Sequence, residues 1–177
     1  MGQLLGNLGT YELSAGDLDA ARRHLVESLE IFRALKVRSS TVYQTFNLGL
    51  AEYLGGSPGA ARALFAESLE LARRIGIGRH TAFALTGLAM AGHGGTDPVW
   101  SARLHGAADR ALADMGHGLE PLEEQLADRD RQRLRAAMGA DAFETEYAAG
   151  RALTSEQSLA LALGELPARA DLPPARN

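Results

Sequence analysis

The chain repeats part of its own sequence at an offset of forty residues, and this periodicity limits the folds that it can adopt. The shared segments are Asn-Leu-Gly at 7–9 and 47–49, Ala-Ala-Arg at 20–22 and 60–62, and Glu-Ser-Leu-Glu at 27–30 and 67–70. Self-similarity at a fixed spacing indicates one supersecondary unit stacked on copies of itself. Because stacked units build extended surfaces and not enclosed pockets, the repeat favours binding over catalysis.

Composition predicts that the repeated unit is helical. Ala and Leu dominate the apolar residues and aromatic residues are only 6% of the chain, so a sheet is not expected. The net charge is -4 and no basic block is present, which argues against direct binding of nucleic acid. No cysteine, signal-peptide pattern or long apolar run occurs, so we expect a cytoplasmic protein that does not span a membrane.

Turn and cap residues divide the chain into helices and predict an all-α fold. Asp17, Asp97 and either Ser39 or Ser40 are expected to cap helix starts, and Thr154 to Gln157 resembles a capping box. We expect about three helical hairpins in residues 1–116. Two or three capping helices would follow in residues 117–165, and a flexible Pro-rich tail in residues 166–177.

The copies resemble tetratricopeptide repeats in the small residues that allow their helices to approach. These residues are Gly9 and Gly49 in Leu-Gly pairs, Gly16 and Gly56 before the turn, and Ala21, Ala61, Ser28 and Ser68 in the second helix. The usual period of that family is about 34 residues. A period of forty therefore implies longer helices or a longer turn between hairpins.

The second half of the chain is similar to a segment of large ATP-binding bacterial transcriptional regulators of the LuxR type. Residues 101–112 follow their Ala-Arg-Leu-Leu-Gly-Ala-Ala-Glu pattern, with His105 in place of Leu and Asp109 in place of Glu. Residues 138–163 resemble the segment that follows. The chain has no phosphate-binding loop and no helix-turn-helix motif. The resemblance therefore implies a sensor or repeat part, without the ATPase and DNA-binding functions of the family.

A binding groove is implied by the same resemblance, because the first helix of each hairpin lines the concave face in such arrays. The implied groove residues are Tyr43, Phe46, Leu50, Tyr53, Phe83, Met90 and His93. An aromatic groove with hydroxyl groups would bind a partner peptide or a small apolar effector. The alternative is that these side chains pack as ordinary core residues.

A second candidate surface lies at the start of the chain. Leu4, Leu5 and Leu8 would contact an upstream repeat in a longer array. We expect this stripe to drive self-association, as in a homodimer, or to bind a missing part of a parent protein.

The remaining polar residues give no sign of catalysis. No pair of the five histidines has the i, i+4 spacing of metal ligands, so neither a metal site nor another cofactor is expected. The arginines at 129, 131, 133 and 135 alternate with acidic residues and are interpreted as a solvated helix face. The favoured function is a non-catalytic protein-interaction or effector-sensing module. The alternative is a stand-alone scaffold that binds a partner peptide or self-associates.

Overall fold

The computed structural model describes residues 1–92 and 97–165, and within these ranges every regular element is an α-helix. The helices are α1 (Gly2–Ala15), α2 (Leu18–Ala34), α3 (Arg38–Leu54), α4 (Pro58–Ile75), α5 (Gly78–Ala91), α6 (Pro98–Asp114), α7 (Pro121–Met138), α8 (Ala140–Arg151) and α9 (Ser155–Ala162). The all-α prediction is confirmed. The predicted tail and His93 lie outside the described residues.

Three helix starts follow the cap chemistry expected from the sequence. The Asp17 carboxylate accepts a hydrogen bond from the Ala20 amide, the Asp97 carboxylate accepts one from Trp100, and Thr154 forms its capping box. The prediction for the third helix was wrong, because α3 begins at Arg38, before either serine, and its start has no side-chain cap. The first amide groups of α3 therefore donate to no capping side-chain oxygen.

The chain divides into two compact units, Met1–Gly87 and Leu88–Asn177, and α5 runs across the division. In the first unit α1 packs on α2, α2 on α3, and α3 on α4. In the second unit α6 packs on α7, α8 and α9. These contacts join α6 to the C-terminal helices, and the assignment of residues 1–116 to the repeat array stays a prediction.

The two hairpins of the first unit are alike down to single hydrogen bonds. The Ser28 hydroxyl donates to the Gly2 carbonyl at 2.7 Å, and the Ser68 hydroxyl donates to the Val42 carbonyl at 3.1 Å. Each of these bonds joins the second helix of a hairpin to the start of its first helix. Donor and acceptor both move by forty positions, so the sequence period is also a structural period.

Close helix packing explains the glycine of each Leu-Gly pair. A Cβ atom on Gly9 would lie 2.7 Å from the Leu25 side chain, and one on Gly49 would lie 2.6 Å from Phe65. Leu25 and Phe65 are equivalent residues of the two copies, and both are fully buried. A larger residue at either glycine would separate the two helices of its hairpin.

The turns that follow α2 and α4 also correspond. The Lys36 amide donates to Arg33 and the Val37 amide to Phe32, and the same pattern recurs forty residues later from Gly76 and Ile77. Both turns need a left-handed residue, which is Lys36 at φ 56° in one and Gly76 at φ 72° in the other. This conformation suits glycine, and it is strained for lysine.

In the second unit α6 and α8 approach each other through glycines. A Cβ atom on Gly106 would collide with the Tyr147 carbonyl, and one on Gly150 with the Arg103 carbonyl. The Trp100 indole on α6 donates to the Leu161 carbonyl at 2.9 Å, which anchors α9. These contacts place α6 at the centre of its unit.

In the part of the chain that the structure describes, no helix combines the length and the hydrophobicity needed to cross a membrane.

Candidate functional site

The implied groove residues divide between the core and the surface of the first helices of the hairpins. The buried members, none more than 3% exposed, are Phe46, Leu50, Phe83 and Met90. Tyr43 and Tyr53 are half-buried and keep contact with solvent. A ligand that binds the folded protein can therefore reach the two tyrosines directly, but not the four buried side chains.

The phenylalanines form an aromatic core beneath this surface. The ring of Phe46 on α3 lies 5.4 Å from that of Phe65 and 5.8 Å from that of Phe83, measured between ring centres. These three rings join α3, α4 and α5 within the first unit. Phe46 and Phe83 thus fit the alternative weighed for them, which was core packing.

Above the aromatic core, Tyr43, Arg79 and His80 form a cluster that we call the α3–α5 surface. The Tyr43 ring meets the His80 ring edge-on, with 5.8 Å between ring centres. The Arg79 guanidinium lies 5.0 Å from the centre of the Phe83 ring, which is a cation–π distance. The surface thus combines a phenol, an imidazole and a guanidinium within one small area.

The surroundings of His80 favour the neutral form of its imidazole. Burial lowers its pKa below the ordinary value, and the positive charge of the adjacent Arg79 lowers the pKa further. Its Nδ1 atom is buried and has no hydrogen-bond partner among the described residues. Because this nitrogen is buried, a bound molecule would contact the partly exposed edge of the imidazole ring and not Nδ1.

Sequence reasoning missed Arg79 and weighed His80 only as a metal ligand. A usable signal was their position in the first turn of α5, one turn before Phe83. The repeat offset relates Phe83 to Tyr43 on α3. Residues at equivalent heights on successive first helices are neighbours in a stacked array.

Buried polar side chains connect α1 to α3 next to this surface. The Asn47 amide donates to the Thr10 hydroxyl at 3.1 Å, and that hydroxyl donates to the Gly6 carbonyl at 2.9 Å. Gln44 and Thr45 are also buried on α3. Such directional bonds fix how the first two hairpins stack, because apolar contacts alone would tolerate sliding.

The stripe expected to drive self-association lies largely in solvent. Leu4 is 67% exposed and Leu8 is 40% exposed, while Leu5 is half-buried. Tyr11, which is 72% exposed, follows Leu4 by seven residues and extends the same side of α1. The side chains of α1 therefore present an apolar strip to solvent.

The arginine-rich helix α7 is not the fully solvated face that its sequence suggested. Asp130 and Arg131 are buried, and the Asp130 carboxylate contacts the His105 imidazole at 2.9 Å. The Arg131 guanidinium forms ion pairs with Asp109, at 3.1 Å, and also with Glu124 and Asp128. Interleaved acids and bases here form ion pairs within α7 and between α6 and α7.

Tyr147 on α8 extends this network. Its hydroxyl group donates to the Asp109 carboxylate, which also accepts from Arg131. Burial raises the pKa of Tyr147, and the hydrogen bond to Asp109 raises the pKa further. The network joins α6, α7 and α8 and contributes to the structure of the second unit.

Hairpins that repeat in sequence, hydrogen bonding and turn geometry define the first unit as part of a helical-repeat protein. Residues 3–35, which span most of α1 and α2, match the tetratricopeptide repeat family. The first hairpin is thus a tetratricopeptide-repeat region, a kind of structure that generally mediates protein–protein interaction. Neither a curated protein nor a solved structure matches the chain.

Proposed function

We propose that the protein is a non-catalytic interaction module that binds a peptide segment of a partner protein on the α3–α5 surface. The observation that carries this proposal is the tetratricopeptide-repeat hairpin of α1 and α2, whose serine hydrogen bond recurs in α3 and α4. Arrays of this type display the surface of successive first helices to their partners. In this chain those helices are α1, α3 and α5.

The chemistry of the α3–α5 surface supports a peptide ligand. Tyr and Arg side chains are enriched where proteins bind one another, since they combine large contact areas with hydrogen bonding. Tyr43 and Arg79 offer that combination, and His80 adds a half-buried imidazole ring that packs edge-on against Tyr43. A small apolar effector with one polar group is the other occupant that suits the same residues.

The similarity of residues 101–112 to LuxR-type regulators suggests where such a module operates. We infer that partner or effector binding biases regulatory domains with which the array associates, by favouring one stacking of the hairpins over another. The buried bonds from Asn47 to Thr10 support this, because they give α1 and α3 a defined arrangement that a ligand can shift.

Selection of peptides on the purified protein, followed by fluorescence anisotropy, tests the proposed surface. We expect Tyr43→Ala and His80→Ala each to weaken the binding of a selected peptide by about tenfold. This factor corresponds to the loss of one interface contact worth ~1.4 kcal/mol. Tyr11→Ala is the matched control, because it removes an exposed phenol from α1. Peptides that bind all three variants equally well would place the interaction elsewhere.

Photo-crosslinking tests the regulatory context. A benzophenone amino acid at Tyr43 should crosslink a partner in cells that produce the protein, while the same group at Val26, which is exposed on α2, should not. Mass spectrometry then identifies the captured protein. A partner with a DNA-binding domain supports the regulatory context, and a partner unrelated to transcription contradicts it.

Self-association through α1 is a second candidate function, favoured by the exposed strip of Leu4, Leu8 and Tyr11. Analytical ultracentrifugation should show a dimer that Leu8→Asp converts to a monomer. Val26→Asp is the control, because Val26 is 38% exposed on α2 and so resembles Leu8, at 40%. A wild-type protein that stays monomeric at high micromolar concentration would refute this function.

A further inference from the structure

A cavity of about 450 Å³ opens in the first unit, between the end of α2, the start of α3 and the end of α4. The charged side chains that line it are Arg33, Lys36, Arg38 and Arg74. Its apolar lining comes from Val42, Leu71 and Ile75. The volume falls in the range of small-molecule sites, which typically combine apolar walls with a few polar groups.

The charge of this cavity is positive, since no acidic residue lines it. Two of its cations have partners: Arg33 lies 2.6 Å from Glu67, and Arg74 lies 3.0 Å from Glu70. Lys36 and Arg38 form no ion pair within residues 1–92 and 97–165. Two uncompensated cations beside an apolar wall match a ligand that is itself anionic at one end and apolar at the other.

The start of α3 adds to the positive potential. Arg38 is the first residue of this helix of seventeen residues, which has neither a side-chain cap nor an acidic residue in its first turn. Its first amide groups therefore carry the partial positive charge of a helix N-terminus. An anion beside Arg38 would accept hydrogen bonds that no side chain of the protein supplies.

The backbone of Lys36 gives an independent indication. Lys36 is the one described residue other than glycine with a positive φ, and the equivalent residue of the next copy is Gly76. A left-handed conformation costs about 1–2 kcal/mol for a residue with a Cβ atom. Strain of this kind tends to occur at functional sites, where the side chain has a role that glycine cannot fill.

We propose that this cavity binds a small amphipathic anion. The carboxylate or phosphate of the ligand contacts Lys36, Arg38 and the amide groups at the start of α3. Its hydrocarbon part packs against the partly exposed side chains of Leu71 and Ile75, with the buried Val42 beneath them. This site is separate from the α3–α5 surface, and the proposal does not depend on whether that surface binds a peptide.

Isothermal titration calorimetry with four probes, each built on an eight-carbon chain, tests the proposal. Octanoate and octyl phosphate should bind with a stoichiometry of one, and the tighter of the two identifies the preferred anionic group. Octanol and octyltrimethylammonium should bind at least about tenfold more weakly, because they lack the negative charge. Equal binding of the cation, or no binding of either anion, would overturn the proposal.

Variants locate the site. Lys36→Gly and Arg38→Gln should each weaken the binding of the preferred anion by about tenfold, the loss of one charge-assisted contact. Arg23→Gln is the matched control, because Arg23 is exposed on α2 and does not line the cavity. Equal losses in Arg23→Gln and Arg38→Gln would show attraction to net charge only, and would also overturn the proposal.

Discussion

The Nε2 atom of His105 lies 2.9 Å from a carboxylate oxygen of Asp130, and both side chains are almost completely buried. The repeat offset makes His105 the third-copy equivalent of Leu25 and Phe65, which are core residues of the first two hairpins. Asp130 also accepts hydrogen bonds from Arg133 on its other oxygen. An apolar core position has thus become half of a polar pair that joins α6 to α7.

Replacing His105 with Leu, the residue of the first copy, should destabilise the second unit by about 2–3 kcal/mol, because a buried carboxylate loses a partner. The double change His105→Leu/Asp130→Leu should recover most of that loss, since no buried carboxylate is left without its partner. Urea unfolding, followed by the fluorescence of Trp100 in the same unit, measures both. Losses that simply add in the double variant would contradict the pairing.

Glycine at the α6–α8 crossing gives a steric prediction. Gly106→Ala and Gly150→Ala should each cost about 3 kcal/mol or more, because the new methyl group meets backbone atoms that cannot move aside as a side chain would. Gly59→Ala in α4 is the control, since open space surrounds that position, and it should be neutral or stabilising. Thermal unfolding followed by circular dichroism compares the three variants. Similar melting temperatures for all three variants would contradict the close approach of α6 and α8 at these glycines.

Lys36→Gly should raise the free energy of unfolding by about 1 kcal/mol, because glycine adopts the left-handed conformation without strain. The urea midpoint by circular dichroism should rise while the slope of the transition stays constant. Lys36→Ala keeps the Cβ atom and should bring no such gain. If alanine stabilises as much as glycine, the side chain and not the backbone is the source of the strain.

His80 should make the first unit less stable in mild acid. Its pKa in the folded protein lies below the ordinary value of 6.5, so the unfolded chain takes up a proton first as the pH falls below 6.5. The free energy of unfolding should therefore fall through this window, down to the folded pKa, and His80→Gln should reduce the fall. Urea titrations between pH 7.5 and 5, in steps of about half a unit, measure it.

The exposed His117 provides the control for this titration, because His117→Gln removes an imidazole from a solvated position. Its profile should follow that of the wild type. The charged group that lowers the pKa of His80 is Arg79, and the aromatic rings beside the imidazole are those of Tyr43 and Phe83. Identical slopes in the wild type and in His80→Gln would rule out this histidine as the source.

Helix positions were largely predictable, since caps, glycines and prolines act over a few residues. Asp17, Asp97 and Thr154 form the caps expected of them. The start of α3 was missed because Val37, which has no polar side chain, occupies the cap position. The hydrogen bonds from the Lys36 and Val37 amides, which form a Schellman motif, set the position of this turn. A lysine in a left-handed conformation is not a recognisable sequence signal.

The candidate sites were less predictable, because spacing along a helix does not show which neighbour covers a side chain. Phe46 and Phe83 share the helix face expected of groove residues, yet the rings packed on them bury both. From the sequence alone, Asp130 and Arg131 were interpreted as surface residues. In the structure their partners lie on α6, where His105 pairs with Asp130 and Asp109 pairs with Arg131. Those partners are the two positions that depart from the LuxR-type pattern, which was the available signal.

The serine bonds from Ser28 to Gly2 and from Ser68 to Val42 also bear on how such a chain can change in length. Duplicating one complete period between Val37 and Arg38 would present each new serine with a carbonyl acceptor and each new glycine with its packing partner. An insertion of any other length within a hairpin would misalign both. Growth by whole modules is therefore the route by which this architecture can lengthen its binding face without rebuilding its core.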